Sequence, residues 1–100
     1  MIKHIVLLSF NDGVTQDQID VLENELKKLM LIIPEILSFS FGKNCSFEEL
    51  NQGYSHGFIM EFSSHLERDA YLEHPKHVEL AENLIIPIVK KNGGALVFDY

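Results

Sequence analysis

One hundred residues carrying a net charge of −7 make one domain, residues 1–100, without the basic surface that nucleic acid or an anionic membrane would call for. Hydrophobic residues at 46% and charged residues at 23% place the chain among ordinary globular proteins and exclude disorder. No apolar run approaches the roughly 20 residues that span a bilayer, and the single Cys45 has no disulfide partner, so a cytoplasmic location is expected.

The opening MIKHIVLLSF alternates too regularly, and breaks too soon, for a signal peptide. It reads as a strand over residues 2–10, with His4, Val6, Leu8 and Phe10 on one face and Ile5 and Leu7 on the other. Both faces are apolar, as in a strand covered on both sides. Asn11-Asp12-Gly13 is a turn signal. Thr15 and Gln18 have the spacing of a capping box, and Ile19, Leu22, Leu26, Leu29 and Ile33 recur at helical spacing until Pro34 ends the helix.

Residues 36–41 read as a second strand, with Phe39 and Phe41 opposite Ser38 and Ser40. Residues 42–53 form a long polar loop with a helical turn expected around 47–50, and would cover any site nearby. Residues 54–62 give a third strand with Tyr54, His56, Phe58, Met60 and Phe62 on one face. Ser64 and Glu67 suggest a second capping box, opening a short helix through residue 73. Pro75 suits the first position of a new helix, because it lacks an N–H that would go unused there. That last helix is expected to present Ala81, Leu84, Ile85 and Ile88, to kink or end at Pro87, and to be closed off by Gly93-Gly94 after Lys90 and Lys91. Residues 95–100 are a final strand.

The order strand, helix, strand, strand, helix, strand predicts an α+β fold: a ferredoxin-like antiparallel four-stranded sheet with helices on one face. The other sheet face remains apolar, and a two-fold homodimer would cover it, making a dimeric α+β barrel.

The stretch YLEHPKHV, residues 71–78, sets a phenol and two imidazoles around a proline corner. His77, Ala81, Leu84 and Ile88 fall at i, i+4, i+7 and i+11, so His77 shares the buried helix face. His4 shares the strand face that should look toward the helices. His4, Tyr71 and His77 are therefore the candidate catalytic residues, converging on one apolar space. An imidazole titrating near neutrality can take and return a proton; a buried phenol can orient it or donate to a developing oxyanion; apolar walls can hold the body of a ligand. The plainer reading is that histidines on apolar faces are packed residues with satisfied nitrogens, and that Tyr71 is packing. His74 reads as part of the corner, His65 as solvated, and His56 as a residue without an evident partner. No HExxH, Cys pair, phosphate loop or nucleophile elbow appears, so neither metal nor cofactor is expected.

With KHIVLLSF at the start, GYSHGFIMEF in the third strand, YLEHPKHVEL at the corner and VFDY at the end, the whole chain resembles the stress-responsive A/B barrel domain proteins, a branch of the dimeric α+β barrel superfamily. The resemblance implies a homodimer with a pocket between sheet and helices in each subunit. In the olivetolic acid cyclase type, a histidine base assisted by a tyrosine closes linear polyketides by intramolecular aldol condensation. By that likeness His77 would be the base, Tyr71 the assisting phenol and His4 a third pocket histidine. Two functions follow: a small-molecule-binding barrel with cyclase-like lyase chemistry on an apolar carbonyl compound, or a non-catalytic stress-responsive dimeric module. An oxygenase of the related barrel type ranks last, since no residue announces oxygen chemistry.

Overall fold

The computed structural model describes all 100 residues. Its strands are β1 (Ile2–Leu8), β2 (Ser38–Lys43), β3 (His56–Phe62) and β4 (Ala95–Asp99); its helices are α1 (Gln16–Ile32), α2 (His65–Glu73) and α3 (Pro75–Leu80), the last running into a π-helical turn at Ala81–Ile85. The sheet is wholly antiparallel in the order β2-β3-β1-β4, which is the ferredoxin-like arrangement that the element order predicts.

Alternation in β1 and β3 decides which face is dry. The register sets His4 against Met60, Val6 against Phe58 and Leu8 against His56, and this face carries the helices. Val6, Leu8, Phe58, Met60 and Phe62 are buried there against Leu22, Leu26 and Leu29 of α1 and Ile33 that caps it, with Tyr71 and Leu80 closing the layer. The opposite face carries Ile5, Leu7, Ile59, Leu96 and Phe98, and in the protomer it has no covering layer; Phe98 is 63% exposed. No helix is long and apolar enough to cross a membrane.

The first capping box forms as its spacing predicts. The Gln18 N–H donates to Thr15 Oγ1 at 3.2 Å, and the Thr15 N–H donates to Gln18 Oε1 at 2.9 Å. Replacing Thr15 by Ala orphans a helix N–H, so Thr15→Ala should lower unfolding free energy by about 1 kcal/mol. Urea melts of the two proteins would read this as a shifted midpoint at constant slope; coincident melts would show the box to be neutral.

Several boundaries differ from those the sequence predicts. β1 stops at Leu8, and Phe10 instead makes an isolated bridge to Val89. β2 begins two residues later than predicted and β3 at His56, because Tyr54 and Ser55 belong to the loop. No helical turn forms at residues 47–50: Glu49 and Gln52 take positive φ values of 60° and 54°, which bend the loop instead. Ser64 caps α2 through the Leu66 N–H and also hydrogen-bonds to Glu67.

The last helix ends just before Pro87, one of the two outcomes predicted there, and does not run on to Gly93-Gly94. Pro87 offers no N–H, so the helix widens into the π turn, closed by Ile86 N–H to the Ala81 carbonyl at 2.9 Å, and then ends. Residues 86–88 form a turn, and the chain then passes beside the end of β1, where Val89 bridges Phe10 and the Lys90 N–H donates to the Ser9 carbonyl at 2.9 Å. Gly94 therefore does not stop a helix. It permits a close turn, since a Cβ there would lie 2.1 Å from the Lys90 oxygen.

Candidate functional site

Three elements deliver the side chains that the sequence singled out. β1 aims His4 at the helices, and the residue is 4% exposed. α2 brings Tyr71 over it, 1% exposed, with ring centroids 5.9 Å apart. The chain then breaks at His74, whose backbone is extended (ψ 131°) because a residue before proline is barred from the helical region. That break turns α3 so that His77 meets Tyr71 from the far side, at 4.4 Å between centroids. Phe62 fills the remaining side, 5.2 Å from Tyr71 and 6.4 Å from His4. The structure thus brings His4, Tyr71 and His77 together, with the phenol ring between the two imidazoles.

Hydrogen bonding fixes how each imidazole presents itself. His77 Nδ1 lies 3.0 Å from the Leu72 carbonyl, which can only accept, so Nδ1 carries the proton and Nε2 is left with a lone pair. The Leu72 carbonyl is available because the α2–α3 break removes its helical partner. Burial holds the His77 pKa below its ordinary 6.5; the Leu72 carbonyl opposes this, and the neighbouring His4 and His74 lower it further. His77 is consequently a neutral base at neutral pH. Burial pushes the Tyr71 phenol up, so it stays a protonated donor.

His4 is held by a pair that the sequence reading missed. Its Nδ1 lies 2.8 Å from Asp99 Oδ1, and Arg68 of α2 donates to Asp99 Oδ2 at 2.9 Å. The bond to a carboxylate oxygen places the His4 proton on Nδ1 and leaves Nε2 free. Asp99 sits opposite His4 in the β1–β4 register. The signal was present: in ALVFD, Val97 and Asp99 alternate onto the helix face, and an acid at such a position needs a buried partner. Only the register identifies which partner.

The other histidines part company from this cluster. His74 accepts from the Lys76 N–H at 3.1 Å and caps α3, serving the corner itself. His65 is exposed, 3.5 Å from Arg68. His56 lies at the opposite end of β3, 2.8 Å from Ser55 Oγ and in edge contact with Phe10 at 5.2 Å, its pKa lowered by burial and by Lys43. No three His, Cys, Asp or Glu side chains gather as a metal-ligand set. None of five clefts of about 340 to 560 Å³ each is lined by His4, Tyr71 or His77.

Residues 2–100 match the family described as the stress responsive A/B barrel domain. The chain is 37% identical over 99 residues, 99% of this chain and 87% of that protein, to stress-response A/B barrel domain-containing protein HS1 of Arabidopsis thaliana. It is 30% identical over 77 residues to olivetolic acid cyclase of Cannabis sativa, covering 77% of this chain and 76% of that protein. Among solved structures it superposes on a dimeric ferredoxin-like protein of unknown function from Jannaschia sp. with a TM-score of 0.85 and 28% identity, covering 99% of this chain and 96% of that one.

Proposed function

The chain belongs to the stress-responsive A/B barrel domain family, and from that premise we propose that it is a homodimeric small-molecule-binding barrel with cyclase-like lyase chemistry on an apolar carbonyl compound. The observation that carries this reading is the fixed tautomer of His77: a half-buried, neutral imidazole with its Nδ1–H on the Leu72 carbonyl, its ring 4.4 Å from the protonated Tyr71 phenol ring. His77 Nε2 removes a proton alpha to a carbonyl. The Tyr71 hydroxyl donates to the carbonyl oxygen as charge develops on it and so stabilises the enolate, while His4, its Nδ1–H held by Asp99, offers an accepting Nε2 to a substrate hydroxyl. In an intramolecular aldol step the enolate carbon then bonds to a second carbonyl carbon of the same molecule, and the proton returns to the new alkoxide. The likeness to olivetolic acid cyclase supports this reaction type, and the dimeric relative supports the assembly.

The test is exchange of alpha protons for deuterium in a set of apolar methyl ketones and diketones, followed by NMR across pH. Since His77 works unprotonated and its pKa lies below 6.5, the rate should be level at neutral pH and fall on the acid side, below the ordinary histidine range. A rate at the buffer background for every probe would sink the catalytic reading.

A non-catalytic module is favoured by one observation: Tyr71 is almost wholly enclosed and five clefts of about 340 to 560 Å³ lie elsewhere. The two readings separate on ligand-induced shifts of the His77 and Tyr71 ring signals, which the enzyme requires and the module does not.

A further inference from the structure

Helix α2 sets the state of both imidazoles. Arg68 and Tyr71 stand three residues apart and so share one flank of that helix. The Leu72 carbonyl at its end holds the His77 proton on Nδ1, and Tyr71 lies between the two rings. Arg68 acts one step further out. Its Nη1 donates to Asp99 Oδ2 at 2.9 Å, and Asp99 Oδ1 lies 2.8 Å from His4 Nδ1. The rest of the guanidinium faces two neighbours on α2, with Nε donating to Asp69 Oδ1 at 3.0 Å and Nη2 lying 3.5 Å from His65. The arginine is not needed to place the strand. Backbone bonds of 2.8 and 3.1 Å between Lys3 and Tyr100 already fasten the end of β4 to β1.

What Arg68 supplies is charge, as the one permanently charged partner of Asp99. The side chains of Arg68 and Asp99 are 20% and 18% exposed, so solvent screens the pair only in part. A part-buried carboxylate facing a lone imidazole draws a second proton onto it, because the resulting ion pair neutralises the charge. A carboxylate already paired with a guanidinium does so far less, because the imidazolium would face a second cation across the same carboxylate. No other charge faces His4. β3 offers it Met60 and Phe62, α1 turns apolar residues to the core, and α2 and α3 add the uncharged Tyr71 and His77. Lys3 and Glu61 alternate onto the opposite sheet face. The state of His4 reaches His77 in turn, because His4 already helps to lower the His77 pKa. A full positive charge on His4 would weaken that base further.

We propose that Arg68 is a positioning residue of this site: by pairing with Asp99 it keeps His4 uncharged, so that Nε2 of His4 stays a hydrogen-bond acceptor and His77 keeps an uncharged neighbour. The inference deepens the function proposed above and rests on it for its consequence, since that chemistry uses both imidazoles unprotonated. Arg68 touches no reacting atom. It acts through Asp99, and the shared carboxylate passes its charge to His4 without moving the ring.

Imidazole ¹⁵N signals of His4 followed across pH test this directly. The parent should show one protonated and one free ring nitrogen at neutral pH. Arg68→Met keeps the stem and removes the charge, and His4 should then become doubly protonated at a pH about one unit or more above the parent's, the size of effect a neighbouring charge produces. Arg68→Gln keeps a donor for Asp99 without the charge and should do the same, which separates charge from tethering. Arg68→Lys returns a cation and should return the parental pattern; Asp69→Asn leaves Arg68 on Asp99 and should leave the His4 signals unmoved. Alpha-proton exchange in the Met and Gln variants should fall off at a correspondingly higher pH, and the Lys variant should recover it. His4 signals unchanged in the Met and Gln variants overturn the inference whatever happens to melting temperature, since a purely structural role shifts stability and leaves protonation alone. A parent already doubly protonated at His4 at neutral pH overturns it as well. Should Arg68→Met fail to fold, judged by circular dichroism, Arg68→Gln carries the test. A parent that exchanges no probe ends the proposed function, and the ring signals still decide the role of Arg68.

Discussion

His77→Ala should abolish alpha-proton exchange, lowering the rate by about 10² to 10⁴-fold, the usual contribution of a positioned general base, while leaving the fold intact. The side chain is only half-buried on the outer turn of α3, and its one hydrogen bond is to a carbonyl at the α2–α3 break. Removing it opens no large cavity and orphans no buried donor. His77→Gln is the sharper variant, since a primary amide can still donate to the Leu72 carbonyl but cannot accept a proton. A Gln variant with parental exchange and parental melting temperature would remove His77 from the chemistry. A loss of exchange that merely tracks a loss of folded protein would assign it to structure.

Phe62→Ala should destabilise the domain by about 3–5 kcal/mol, the range for deleting a fully buried aromatic, against a total near 5–15 kcal/mol for a domain of this kind. Phe62 is 0% exposed at the end of β3, paired with Ile2 across the sheet and packed on Tyr71. Its loss leaves a hole between β1, β3 and α2 that the pleated strands cannot close. Urea unfolding at constant slope measures the effect, and a loss below about 1 kcal/mol would mean that α2 collapses onto the gap. The same substitution unseats Tyr71 and His4, so ring signals of both residues should broaden even in the folded fraction.

Acid should weaken the protein through the same histidines. His77 and His56 both have pKa values lowered by burial, so the unfolded chain binds more protons than the native one below about pH 6.5. Their contribution is complete above that value and is lost as the pH falls through the lowered native values. Urea midpoints that stay level from about pH 7 to about pH 5 would contradict that sign.

Much of the architecture was legible because its causes are local. Alternation in IKHIVLL, the 3.6-residue recurrence from Ile19 to Ile33 and the Thr15–Gln18 box each act over a few residues, and all reappear in the structure. The convergence of His4, Tyr71 and His77 was legible for the same reason: two periodicities and one proline corner determine it. The π turn was not, because whether a helix bends, widens or stops at Pro87 depends on what packs below it. Which of Pro87 and Gly93-Gly94 closes the helix was not legible either: Lys90 and Lys91 suit a helix terminus by charge, but the helix ends before Pro87 and the Lys90 N–H bonds to Ser9, which is distant in sequence.

By itself, then, the sequence determined the elements, the inward face of each, and the three rings that share a corner, since side-chain periodicity and proline stereochemistry are properties of the chain. Tertiary structure alone decided that Asp99 and Arg68 orient His4 and that Leu72 fixes the His77 tautomer. Each of these depends on strand register or on a carbonyl left unpaired at a helix break, and such long-range pairings follow only once the whole chain has packed.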